Sequence, residues 1–133
     1  MIRNAIYTVY DGVEYRIFCD RYGKYILVSH DKDDESKGFI REDDQEEIYL
    51  KDITPSEVSE VYGINTFGIY KGCEVGVRMD DKTGDKVLLG VGDAMIASKL
   101  EFEFDERGVY MKWVPRDEVY LFEKKEPMPN YFK

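Results

Sequence analysis

The sequence predicts an all-β protein built by internal duplication, with two similar lobes packed together and at most one short helix. Three observations carry this. The first is a repeat: Tyr7, Val9, Tyr10, Gly12, Glu14 and Ile17 recur as Phe67, Ile69, Tyr70, Gly72, Glu74 and Val77. After one inserted residue, Gly23, Leu27, Asp44, Tyr49, Lys51, Glu57 and Val58 return as Gly84, Leu88, Asp105, Tyr110, Lys112, Glu118 and Val119. A repeat decides how a core is divided, and two copies are too few for a solenoid. The second observation is composition, because 11 tyrosines and 7 phenylalanines in 133 residues favour sheet. The third is strict alternation of apolar and polar residues on either side of Asp-Gly and Gly-containing turns.

The elements follow in order. Ala5 to Tyr10 leads into Asp11-Gly12, a strong hairpin signal, and then Val13, Tyr15, Ile17 and Cys19 alternate with polar residues. A turn at Asp20 to Gly23 precedes a buried strand over Lys24 to Ser29, and His30 to Lys37 reads as an exposed charged loop. Gly38 to Arg41 and Glu47 to Lys51 form a hairpin about a turn at Glu42 to Glu46, with Ile48 and Leu50 inward and Tyr49 and Lys51 outward. Pro55 marks a single tight or 3₁₀ turn before a closing strand over Glu57 to Tyr62. In the second copy Cys73, Val75, Val77 and Met79 share a face, Val87 to Val91 is a strand, and Asp93 caps a short helix. Leu100, Phe102 and Phe104 then alternate with Glu101 and Glu103, and the chain returns through Val109, Met111 and Trp113 to a second tight turn at Pro115.

The domains expected are residues 1–62, residues 67–123 and a tail over 124–133 whose prolines make it an extended strap. Gly63 to Thr66 is left as a connector, too short to hold the lobes apart. Cys19 and Cys73 occupy non-equivalent positions on apolar faces and read as buried, reduced thiols.

The run Val114-Pro115-Arg116-Asp117-Glu118-Val119 resembles the closing segment of an SH3-like small barrel, and Ile53 to Val58 repeats it. The resemblance implies two tandem SH3-like barrels. The opening Ala-Leu-Tyr-Asp-Tyr motif and paired tryptophans of the peptide-binding SH3 family are absent, so that groove is not implied.

Charge bounds the function. The net charge is -9, and residues 1–61 carry 15 acids against 8 bases while residues 62–133 carry 13 against 11. Such a field repels phosphate backbones and argues against nucleic acid. No signal-peptide pattern or membrane-length apolar run occurs, which points to a cytoplasmic protein that does not engage membranes. Catalytic patterns fail individually. Ser29-His30-Asp31 is no triad, since adjacent strand residues point to opposite faces. His30 is the only histidine, the glycines form no phosphate loop, and the acidic runs lack EF-hand spacing. We therefore expect no catalytic residue, metal or cofactor.

The acids Asp31, Asp33, Asp34, Glu35, Asp43, Asp44, Glu46 and Glu47 crowd two loops of the first copy. Clustered carboxylates steer association with a basic protein, and Tyr49 and Trp113 supply aromatic contact area. Small, acidic, duplicated chains of this kind resemble bacterial toxin-neutralising immunity proteins. The expected function is thus occlusion of a basic protein partner, with a toxin as its most concrete form. The alternative is an enzyme using clustered carboxylates on a small molecule or metal between the lobes, which predicts a deep pocket with carboxylates of raised pKa.

Overall fold

Antiparallel strands dominate the computed structural model, which describes residues 2–42, 46–105 and 107–133. The chain divides into two compact units. The first comprises Ala5–Gly63 with Glu126–Lys133, and the second Met1–Asn4 with Ile64–Lys125. Among the described residues no helix is long and apolar enough to cross a membrane.

In the first unit β1 (Ala5–Tyr10), β2 (Val13–Cys19) and β3 (Tyr25–Ser29) form a meander. A 3₁₀ helix (Lys32–Lys37) leads to β4 (Ile40–Arg41), and β5 (Tyr49–Ile53) inserts between β4 and β3, giving the order β4-β5-β3-β2-β1. A 3₁₀ turn (Pro55–Glu57) follows, with the reciprocal Thr54 and Glu57 contacts of a capping box. The second unit repeats this plan. β6 (Val61–Tyr70, counted with this unit from Ile64), β7 (Cys73–Asp80) and β8 (Lys86–Val91) are followed by α1 (Ala94–Lys99), β9 (Glu103–Phe104) and β10 (Tyr110–Pro115), in the order β6-β7-β8-β10-β9. A 3₁₀ turn (Arg116–Glu118) then delivers β11 (Tyr120–Pro127) to β6.

The turn chemistry explains the first hairpin of each copy. Asp11 and Gly12 have φ of 52° and 76°, and Lys71 and Gly72 have 49° and 81°. Two successive positive φ values define the type I′ turn, whose twist matches that of paired strands.

Each unit has its own core. Tyr15, Ile17, Leu27, Phe39, Tyr49, Ile53 and Val61 fill the first. The second is larger and mainly aliphatic, with Val75, Val77, Val87, Leu89, Val91, Leu100 and Val114 packed beside Tyr70 and Phe102.

Register corrects several expectations. Ile17 faces Leu27 and Leu27 faces Lys51, while Val77 faces Leu89 and Leu89 faces Lys112. The counterpart of Leu27 is therefore Leu89, not Leu88, and both are 0% exposed. A bulge between Val77 and Met79 supplies the extra residue and turns Met79 out of the core face. The same register places Tyr49 and Lys51 on the face of Leu27 and pairs Leu50 with Val28, so the predicted facing of β5 is reversed. Tyr110 and Lys112 likewise lie on the face of Val91 and Leu89.

Gly63 to Thr66, expected as a connector, lies inside β6, where alternate burial continues unbroken through Ile64 and Thr66. The tail is ordered instead of a loose strap. The Met128 N–H donates to the Val61 carbonyl at 2.9 Å, and the Phe132 and Tyr131 rings lie 4.7 and 5.7 Å from Tyr25. Both cysteines are free thiols, but Cys19 is exposed and Cys73 only half-buried. Cys19 is the last residue of β2, where the core face has run out.

Candidate functional site

The acidic segment of the first unit is built around one buried carboxylate. Asp31 caps the 3₁₀ helix by accepting from the Asp33 N–H at 2.9 Å, and Gly38 ends it in the left-handed region. One turn in, Asp34 points inward and is 8% exposed. It accepts from the Tyr15 hydroxyl at 2.7 Å and the Ser29 hydroxyl at 2.5 Å, with the Lys37 ammonium 3.9 Å away. Burial, then the Asp34 hydrogen bond and charge, pushes the Tyr15 pKa above the usual phenol range.

This arrangement sorts the predicted residues. Asp34 is a pin for the loop and cannot meet a partner. Asp31, Asp33, Glu35, Glu46 and Glu47 are exposed. His30 Nδ1 lies 3.2 Å from the Glu47 carbonyl and so joins the end of β3 to the approach of β5. The exposed acids of the two loops therefore share one end of the unit. Asp43 and Asp44 lie outside the described residues. Tyr49 is 0% exposed, and its hydroxyl has no hydrogen-bond partner among the described residues. Trp113 belongs to the other unit and is 45% exposed on β10, across from Leu88.

The repeated Tyr and Lys positions have an internal role. The Lys51 ammonium lies 5.7 Å from the Tyr10 ring centre, and that of Lys112 lies 5.9 Å from Tyr70. Lys112 also donates to the Leu100 carbonyl at the end of α1, at 3.3 Å. A cation suits a helix C-terminus, where carbonyls lack partners.

Sequence reasoning missed a groove. On the outer face of the first unit, a shallow depression of about 550 Å³ is lined by Ile26, Gly38, Ile40, Glu42, Leu50, Lys51 and Asp52. Leu50 pairs with both Val28 and Ile40, and Ile26 pairs with Asp52, which makes an apolar floor across three strands. Ile40 is 74% exposed. The Glu42 N–H donates to the Ile48 carbonyl at 2.9 Å, so Glu42 stands at the Ile48 end of the floor and Asp52 at the other. Asp52 meets Lys24 at 3.6 Å, a solvent-exposed pair of the kind that contributes at most about 1 kcal/mol. The legible signal was the alternation of Ile48, Leu50 and Asp52, once β5 is faced correctly.

Among the described residues, the carboxylates with displaced pKa are pushed down. Backbone N–H donation from Arg107 lowers Asp105, and the Arg3 guanidinium lowers Glu123. At Asp81 burial works upward, but hydrogen bonds from the turn outweigh it. Among the described residues no group of three or more His, Cys, Asp or Glu side chains is placed to hold a metal ion.

Compared with known proteins, residues 2–130 match the family model described as Uncharacterised conserved protein UCP033725, and the chain belongs to that family. No curated protein and no solved structure matches it.

Proposed function

We propose that this family member is a non-enzymatic, cytoplasmic binding protein whose first unit engages a basic protein partner and occludes it, with toxin neutralisation as its most concrete form. The observation that carries this is the juxtaposition of exposed carboxylates with the groove. Asp33 and Glu35 are exposed on the 3₁₀ helix, Glu46 and Glu47 are exposed before β5 where His30 meets the Glu47 carbonyl, and Glu42 lines the groove on the outer face of the same unit. Acids steer and select a cationic partner, while apolar area supplies residence time. We read each unit as an elaborated SH3-like small barrel. The reading is supported by the single 3₁₀ turn before the last strand, which in the second unit returns to its first strand.

The test is capture from host lysate on the immobilised full chain, followed by titration of the protein retained. A basic protein that elutes as salt rises is expected, and its retention falls in the combined variant Asp33→Asn, Glu35→Gln, Glu46→Gln, Glu47→Gln. Retention indifferent to that variant overturns the proposal.

A further inference from the structure

The geometry points to the form in which the partner enters the groove: we infer an extended segment carrying an apolar residue flanked by two basic residues, in the pattern basic-x-apolar-x-basic. The inference rests on the reading of a basic partner and deepens it.

The two carboxylates of the groove stand at opposite ends of its floor. Glu42 is level with Ile48 through its backbone hydrogen bond, and Asp52 lies four residues further along β5. At roughly 3.3 Å per strand residue, that separation is about 13 Å along the strand. One lysine or arginine cannot serve both ends. An extended chain presents residues i, i+2 and i+4 on one face across the same distance. Its outer two side chains then meet Glu42 and Asp52, the second displacing the weak, solvent-exposed Lys24 contact, and its central one meets Ile40 and Leu50. Charge complementarity selects this occupant over a second copy of the chain, which carries a net charge of -9. The Lys51 ammonium is engaged by the Tyr10 ring, 5.7 Å from its centre.

The experiment is a methyl NMR titration of the full chain, labelled at Ile and Leu, with the peptide acetyl-Ala-Lys-Ala-Leu-Ala-Lys-Ala-amide. Saturable shifts are expected at Ile26, Ile40 and Leu50. Affinity should fall roughly threefold in Glu42→Gln and again in Asp52→Asn, the range of exposed ion pairs. It should fall further when both peptide lysines become norleucine, when the central Leu becomes Ser, or when the lysines are brought to a spacing of two. The exposed floor variant Ile40→Ser should weaken binding without unfolding the unit.

Absence of saturable shifts, equal binding of the norleucine peptide, or indifference to spacing overturns the inference. Shifts that grow on concentrating the protein alone make the occupant a second copy and overturn it as well. If the loop variant abolishes retention of the basic partner while the groove methyls stay still, the acidic-face reading stands and the groove inference falls. If the methyls respond but retention ignores the loop acids, the proposed function falls.

Discussion

The two units run the same course of strands and fill it with different chemistry at one place. In the first, Tyr15, Ser29 and Asp34 meet as a buried polar pin. The register and cap equivalences put Val75, Val91 and Ile96 at the same positions in the second. All three polar groups are replaced together, and the 3₁₀ helix becomes α1, whose cap Asp93 accepts from the Met95 and Ile96 N–H groups. The physical reason is that one polar group left without its partners in a core costs more than the network is worth, whereas removing all partners is nearly neutral. A half-converted pin is the unstable state. The second unit needs no polar residue there and gains aliphatic burial from Ala97 and Leu100, while the first keeps a loop whose exposed acids are fixed in place by the inward one.

The largest effect should come from breaking the pin at one point. Asp34→Ala leaves the Tyr15 and Ser29 hydroxyls buried without their acceptor, and we expect a loss of about 2 to 4 kcal/mol in urea unfolding. The coordinated variant Tyr15→Val, Ser29→Val, Asp34→Ile, which copies the second unit, should lose less than the sum of its single changes. A strictly additive triple would mean that the two fillings are not alternatives of one design.

A second contrast lies in the first strand of each unit. Thr8 and Gly68 are equivalent. Thr8 is fully buried, and its hydroxyl donates to the Glu60 carbonyl. A Cβ at Gly68 would overlap Val119 and would come within 3.2 Å of Val77. The glycine is therefore the space that lets Val119 pack in the second core. Gly68→Ala should cost about 1 to 3 kcal/mol through overpacking. Trp113, the only tryptophan and a member of this unit, provides the fluorescence readout. A neutral Gly68→Ala, or one rescued no better by Val119→Ala than by a distant change, would sink this account.

What the sequence made legible follows the same divide. Strand alternation and turn residues carried the meanders, the helix capped by Asp93 and the two 3₁₀ turns, because those signals are local. The facing of β5 was not legible. Tyr49 and Lys51 are a polar-tipped aromatic and a cation, and the tertiary pairing with β3 that turns them inward lies some twenty residues away in sequence. Nor was Asp34 legible as a core residue, since nothing in an acidic run marks the one carboxylate whose donors, Tyr15 and Ser29, come from other strands. The groove escaped for the first of these reasons: its floor is the face of β5 that had been assigned to the core.

The finest test of the comparison uses two tyrosines of the first unit. Both rings are buried, but the Tyr15 hydroxyl donates to Asp34 while that of Tyr49 has no partner among the described residues. Removing each oxygen should act in opposite directions. Tyr15→Phe loses the bond and should destabilise by about 1 kcal/mol, whereas Tyr49→Phe removes a desolvated hydroxyl and should stabilise by up to about 1 kcal/mol. Their pH dependence separates them further. The folded-state pKa of Tyr15 is raised, by burial first and by Asp34 second, so its contribution is complete below the unfolded value of about 10 and is lost as pH climbs beyond it. The gap between wild type and Tyr15→Phe should therefore narrow in alkaline urea titrations above about pH 10. A gap that stays constant would show that the Tyr15 proton is not what holds Asp34, and the pin would reduce to the Ser29 bond alone.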